Sequence, residues 1–228
     1  MRVLSREELV AALRAVGTKR YHHLHPFHVK MNAGELSREQ IRCWVANRWY
    51  YQRGIPLKDA AILSNCPSRE VRRLWLHRIT DHDGREGTEG GLEAWLQLGE
   101  AVGLPREELL DERHVAPAAR FAVDAYVHFA RDQPWPIAVA SSLTELFAPD
   151  LMRERIAAFE KHYRWIRPEG LAYFRSRVPR AKGDSDEALE LVVAHCRTRE
   201  LQDAALSALS FKCDVLWALL DAIAGACP

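Results

Sequence analysis

Apolar residues recur along this chain at intervals of three to four, and no stretch keeps the strict alternation of a half-buried strand. Ile41, Trp44 and Val45 fall on the helical period, as do Leu189, Val192, Val193 and Cys196, then Ala208, Phe211 and Val215. Ser5-x-x-Glu8 and Ser37-x-x-Gln40 have the form of capping boxes, in which each side chain accepts from the other residue's backbone N–H. They predict helices opening after residues 5 and 37. Further helices are expected near residues 68–80, 89–102, 117–131, 136–147, 151–163 and 168–178, with one long helix over roughly 185–223. Pro56 and Pro67 are expected where helices restart, because proline suits a first turn and not an interior. Asp83-Gly84, Gly90-Gly91, Gly103-Leu104-Pro105 and the pair Pro134 and Pro136 punctuate the rest. No linker or internal repeat divides the chain. The expectation is an all-α, compact bundle of about seven or more helices, forming a single domain over residues 1–228.

Composition removes several function classes. Basic residues number 32 and acidic residues 31, a net charge of +1, so there is no broad positive field for nucleic acid or a membrane surface. Any functional positive charge has to be local. The N-terminal MRVLSREELVAAL carries Arg and Glu within its apolar stretch, unlike a signal peptide, and no apolar run approaches the ~18 residues of a membrane span. The five cysteines, Cys43, Cys66, Cys196, Cys213 and Cys227, are odd in number and show no CxxC spacing. They read as reduced thiols of a cytoplasmic protein.

Polar side chains three or four apart share a helix face. Arg48, Tyr51 and Gln52 form one such stripe, Arg78 and His82 a second, Tyr173 and Arg177 a third. Lys58, Tyr126, Arg155 and Lys212 stand among apolar neighbours on other helices. Each alone reads as a solvated cation or a core tyrosine. Converging, they would line a cationic pocket for a small, multiply charged anion, with Arg binding carboxylates bidentately.

Metal and cofactor signals are weak. In His22-His23-Leu24-His25-Pro26-Phe27-His28, Pro26 interrupts helical geometry between His25 and His28, which favours pocket or capping roles over metal ligation. Asp111-x-x-His114 falls in an expected loop, and there is no Gly-rich phosphate loop, GxSxG or HExxH. In Asp81-His82-Asp83-Gly84, two flanking carboxylates could fix one tautomer of His82 and raise its pKa, as suits a general acid/base. A C-capping histidine with two solvated carboxylates is the alternative.

Longer strings go further. Tyr21-His22, Trp44-Val45-Ala46-Asn47-Arg48, Tyr50-Tyr51-Gln52, Pro56-Leu57-Lys58-Asp59-Ala60-Ala61, Asp81-His82-Asp83-Gly84, GGLEAWLQLGEAVG at 90–103, RFAVDAY at 120–126, SSLTELFAP at 141–149, Tyr173-Phe174-Arg175-Ser176-Arg177 and Phe211-Lys212 resemble the pyrroloquinoline-quinone synthases, in order over nearly the whole chain. The resemblance implies a fold like haem oxygenase and the TenA proteins, usually homodimeric. It also implies the last step of pyrroloquinoline quinone biosynthesis: ring closure of a bicyclic, polycarboxylated quinone precursor and its multi-electron oxidation by O2, releasing H2O2, with no metal or flavin cofactor. On that resemblance Arg48, Lys58, Arg78, Arg155, Arg177 and Lys212 supply cations, and His22, Tyr51, Gln52 and Tyr126 complete the substrate pocket. His82 matches the general acid/base, and Tyr173 and Arg177 match the oxygen-binding region.

One position departs. After Thr-Glu-Leu-Phe-Ala-Pro the family pattern continues Gln-Ile-His, and that His joins the oxygen-binding group. Here the run is Asp150-Leu151-Met152. A thioether donates no hydrogen bond and relays no proton, so an impaired oxidation step, or a divergent or purely quinone-binding relative, follows as an alternative. A TenA-like hydrolase using Cys66 or Cys213, and a metal-dependent oxygenase using the histidines at 22–28, are further alternatives.

Overall fold

The computed structural model describes residues 2–227. The described residues form α1 (Arg6–Arg20), α2 (Pro26–Ala33), α3 (Arg38–Asn65), α4 (Arg69–Trp75), α5 (His77–Asp83), α6 (Gly91–Ala101), α7 (Arg106–Leu110), α8 (Pro117–Asp132), α9 (Trp135–Ala140), α10 (Ala148–His162), α11 (Ala172–His195) and α12 (Arg199–Ala226). Tight 3-10 turns occupy His22–Leu24, Ser141–Phe147 and Pro168–Leu171. The all-α class stands as expected. The segments outnumber seven because short helices such as α2 and α7 lack a long apolar period, and because α4 and α5 divide one expected stretch. None is long and apolar enough to cross a membrane.

Local chemistry explains the starts. Both capping boxes form, at Ser5 with Glu8 and at Ser37 with Gln40. Ser68 caps α4 directly after Pro67, and Pro26 and Pro117 sit in the first turns of α2 and α8. Three expectations fail. Pro56 does not restart a helix: α3 runs through it for 28 residues. The missing N–H leaves the Gln52 carbonyl without its helical donor, a cost of about 3 kcal/mol that α3 recovers by burying residues on nearly every side. Likewise the helix expected over 168–178 does not end there: it continues through Pro179 as α11. The long helix expected over 185–223 is instead two, broken at Cys196–Thr198, where the Thr198 hydroxyl caps α12 by accepting from Leu201 N.

The core has two main apolar clusters. One is aromatic, built on Trp44, Trp95, Phe159, Tyr173 and Phe174. The other joins α1, α4, α9, α11 and α12 through Leu9, Leu13, Trp75, Ile137, Val192 and Leu209. α3 contributes to both: Trp44 lies in the first and Ile62 in the second. The polar stretch of α3 between these ends is where the site forms.

The expectation of five reduced thiols is also corrected. Cys43 of α3 is disulfide-bonded to Cys227, just beyond α12, across 184 residues of sequence. Such a pairing has no spacing signature, because helix packing alone brings the two ends together. Cys66, Cys196 and Cys213 are free and buried. A bridge closing so long a loop restricts the unfolded chain strongly, with typical stabilisation of about 2–4 kcal/mol. Denatured, unreduced protein is expected to titrate three thiols, and reduced protein five. Cys43→Ser is expected to lower the Tm by roughly 5–10 °C. Five thiols without reductant would show that the bridge does not form.

Candidate active site

Helical spacing does most of the assembly. On α3, Arg48, Tyr51, Gln52, Ile55 and Lys58 recur at three to four residues and turn one polar stripe inward. Facing it are His22 from the first 3-10 turn, His82 from α5, Tyr126 from α8, Ser142, Thr144 and Glu145 from the second 3-10 turn, Met152 from α10, and Tyr173 and Arg177 from α11. They enclose a cavity of about 70 Å³. Of the thirteen positions singled out from the sequence, nine line it directly: His22, Arg48, Tyr51, Lys58, His82, Tyr126, Met152, Tyr173 and Arg177. The other four stand one layer behind. Gln52 accepts from the Tyr173 hydroxyl at 2.7 Å. Arg78 donates to Glu145 at 2.7 Å. Arg155 donates to His28 Nε2 at 2.9 Å. Lys212 donates to the Tyr51 hydroxyl at 2.9 Å.

The cations divide into two kinds. Lys58 is paired with Asp59 at 2.6 Å and donates to Ser142, while Asp59 also accepts from Trp75 Nε1. Arg78 is paired with Glu145, and Arg177 with Asp184 at 3.2 Å. Arg48, Arg155 and Lys212 have aromatic and neutral partners instead. Arg48 lies over the Tyr51 ring at 4.7 Å, Arg155 over Trp44 at 5.1 Å, and Lys212 over Tyr126 at 3.3 Å. Buried Arg48 Nη1 and Arg155 Nε and Nη1 have no hydrogen-bond partner among the described residues. Nor do His22 Nδ1, Gln52 Nε2 and His82 Nε2. Buried polar atoms are normally satisfied, so orphans concentrated around one cavity mark where a polar ligand sits.

Burial and mutual repulsion drive Arg155, Lys212, His22 and His28 towards neutrality. Burial, then the neighbouring Arg48, pulls Arg155 down to about 9. Burial, with Lys58 and Arg48, holds Lys212 well below the usual lysine range. His22 and His28 are also held well below theirs, first by burial. Burial pushes the hydroxyls of Tyr51 and Tyr126 up, so they remain neutral donors. Burial would raise Glu145, but Arg78, Lys58 and Arg177 outweigh it and keep this carboxyl below its usual range.

His82 departs from its expectation. Burial and then Arg177 lower its pKa to about 3, where flanking carboxylates were expected to raise it. Successive helical residues point about 100° apart, so Asp81 and Asp83 leave the face that His82 occupies. The fixed tautomer does form: Nδ1–H donates to the Arg78 carbonyl at 3.1 Å, which leaves the Nε2 lone pair towards the cavity. Glycines hold this end of α5 in place. Gly84 has φ of +85°, and a Cβ on Gly90 would lie 2.3 Å from His82 O.

Among residues not singled out, Glu145, Asp59, His28 and Asp184 each fix a cation. Glu145 and Asp59 lie inside the family-like strings 141–149 and 56–61, which was the available signal. His28 carries none: its Nδ1–H donates to His22 O at 2.9 Å, leaving Nε2 to receive Arg155. In the same histidine-rich run, His25 Nδ1 caps α2 by accepting from Phe27 N, a capping role rather than a pocket one. None of the free cysteines lines the cavity.

Comparison with known proteins agrees with this geometry. The TENA/THI-4/PQQC family model matches residues 10–222. A pyrroloquinoline-quinone synthase of Cronobacter sakazakii is 56% identical over 97% of this chain and 88% of its own length. One of Pseudomonas aeruginosa is 57% identical over 96% of this chain and 88% of its own. A solved TenA homologue of Pseudomonas syringae superposes with a TM-score of 0.75 at 15% identity, covering 97% of this chain and 96% of its own, which speaks to fold alone. With a family model spanning nearly its whole length and relatives above half identity, this chain belongs to the TENA/THI-4/PQQC family.

Proposed function

We propose that this chain is an oxidase of the final step of pyrroloquinoline quinone biosynthesis, acting on a polycarboxylated bicyclic quinone precursor with O2. The observation that carries the reading is the set of unneutralised basic groups, Arg48, Arg155 and Lys212, around one buried cavity with orphaned donors. A polycarboxylate completes that set. Charge-assisted bonds to Arg48 anchor it, the charge of Arg155 behind the wall adds to the attraction, and its negative charge draws protons back onto Lys212 and His22. The cavity of about 70 Å³ is far below the ~300 Å³ low end for drug-sized ligands, so binding requires the walls to spread.

The remaining groups move protons. Neutral His82 presents a free Nε2 lone pair to take a proton during ring closure, and the incoming anion raises its basicity. Tyr51 and Tyr126 stay protonated and hydrogen-bond to developing oxyanions. Oxidation passes two electrons and two protons from each quinol stage of the substrate to O2, giving H2O2. Arg177, beside Tyr173, stabilises the peroxide anion before its protonation. The substrate's own quinone chemistry supplies the electrons, and a wall of cations suits a metal ion poorly. A hydrolase would need a nucleophile in the cavity. The candidate thiols of Cys66 and Cys213 both lie outside it, and burial pushes Cys213 up to about 11. A homodimer belongs to the same proposal, and sedimentation at equilibrium reads it directly.

The reading is tested by mixing protein with the ring-open precursor without oxygen, then admitting oxygen and following quinone absorbance and peroxide. Quinone with stoichiometric peroxide is expected. Absence of any spectral change in either phase would overturn the reading. Met152 lines the cavity where the family resemblance places a histidine, so Met152→His is expected to speed oxygen consumption without changing precursor affinity. An unchanged rate would remove position 152 from the proton relay. Stability is expected to depend on pH through His82. Its folded pKa of about 3 lies below the ordinary 6.5, so between these values the unfolded chain binds the extra proton. The Tm therefore falls as pH drops below 6.5, and His82→Gln flattens that slope. An identical slope in the variant would mean that His82 is not held neutral.

A further inference from the structure

Behind Arg177 lies a chain of contacts that leads out of the site. Asp184 is two helical turns further along α11 and 5% exposed. One of its carboxylate oxygens accepts from Arg177 Nη2 at 3.2 Å, and the other faces His77 Nε2 at 3.0 Å. Its backbone carbonyl accepts from Arg78 Nη2. His77 is half-buried, and its second ring nitrogen faces the Leu74 carbonyl. Both nitrogens therefore meet acceptors, an arrangement that only the doubly protonated ring satisfies.

We propose that Asp184 is a positioning residue for Arg177 and that His77, through Asp184, ties the orientation of that guanidinium to the pH of the surrounding water. This rests on the oxidase reading for its catalytic consequence but not for the coupling itself. With His77 protonated, Asp184 is gripped from both sides and presents a fixed carboxylate to Arg177. When His77 loses its proton, one ring nitrogen turns a lone pair towards an acceptor, and the grip is lost. Arg177 is then free to swing from the position in which it meets the peroxide anion.

The surroundings set the sign. His77 is faced by Asp184 and Glu187 from α11, by the Leu74 carbonyl of α4, and by Asp81 one turn along α5. Asp184 is faced by Arg177, Arg78 and His77, with Glu145 on the far side of both arginines. Burial pulls His77 down, but Asp184, the Leu74 carbonyl and Glu187 outweigh it, and the net direction is up. The gripped state is present below that raised pKa and lost above it. His77, Asp81 and Asp184 also stand close enough together to hold a metal ion, but Asp184 is already bonded to His77 and Arg177.

Two measurements test the proposal. Histidine titration by NMR in the intact protein is expected to place His77 above 6.5. Asp184→Asn lowers it, and Arg177→Gln raises it further by freeing the carboxylate, each by at least about half a unit. If His77 ignores Arg177→Gln, the coupling is overturned, whatever the substrate proves to be. In turnover, Asp184→Asn is expected to slow the oxygen-dependent phase about tenfold while the KM for precursor stays within about twofold, and Asp184→Glu restores part of the rate. The fall of kcat at high pH in the parent disappears in His77→Gln. An oxygen phase and pH profile unchanged in Asp184→Asn, or a uniform loss in every phase that Asp184→Glu does not relieve, overturns the positioning role. Failure of the parent protein to turn over precursor sinks the oxidase reading alone, since the NMR coupling is measured without substrate.

Discussion

Everything in this molecule is arranged around the burial of more positive charge than its own carboxylates neutralise. Lys58, Arg78, Arg155 and Lys212 are each no more than 2% exposed. A lone buried cation would give up its proton or open the fold. The chain meets that demand in two ways. Asp59, Glu145 and Asp184 pair with Lys58, Arg78 and Arg177, and aromatic rings take the rest: Trp44 and Phe174 lie beside Arg155, and Tyr126 lies beside Lys212. At Arg155 these contacts soften the desolvation cost without cancelling charge, so that charge stays available to an anion.

That excess links binding to proton loading. Lys212, His22 and His82 are poor proton holders because burial and their cationic neighbours disfavour the charged form. A polyanion entering the cavity reverses the sign of the dominant neighbour. On the proposed function, the groups that meet its carboxylates are then the ones that accept its protons. In the proposed reaction, specificity and acid–base chemistry thus come from one electrostatic imbalance.

The frame holding this imbalance is unusually dependent on α3. It spans both apolar clusters, carries the inward polar stripe between them, and runs through Pro56 where the helix has lost a backbone bond. Its first turns are fastened to the end of α12 by Cys43–Cys227. Around the stripe, short elements deliver single side chains: the 3-10 turn 22–24 delivers His22, the 3-10 turn 141–147 delivers Glu145, and α5 delivers His82, backed by the close-packed Gly84 and Gly90.

Sequence alone determined the helical class, most helix starts and the inward-facing stripes. These follow from periodicity and capping, which are local: Arg48 with Tyr51 and Gln52, Arg78 with His82, and Tyr173 with Arg177 all lie on shared faces and meet at one site. Long strings carried the family. What sequence could not supply were facts that depend on distant neighbours. Pro56 read as a helix restart, because only tertiary burial compensates a missing helical bond. Cys43 and Cys227 read as free thiols, because helix packing alone sets them side by side. His82 read either as a C-capping histidine or as one raised by its flanking aspartates, whereas helix geometry turns those aside, and burial and then Arg177 of α11 lower it. Asp184 and His28 gave no local signal at all, since each acts on a partner brought near by the fold. Local rules choose which face a side chain takes, and only packing decides what that face meets.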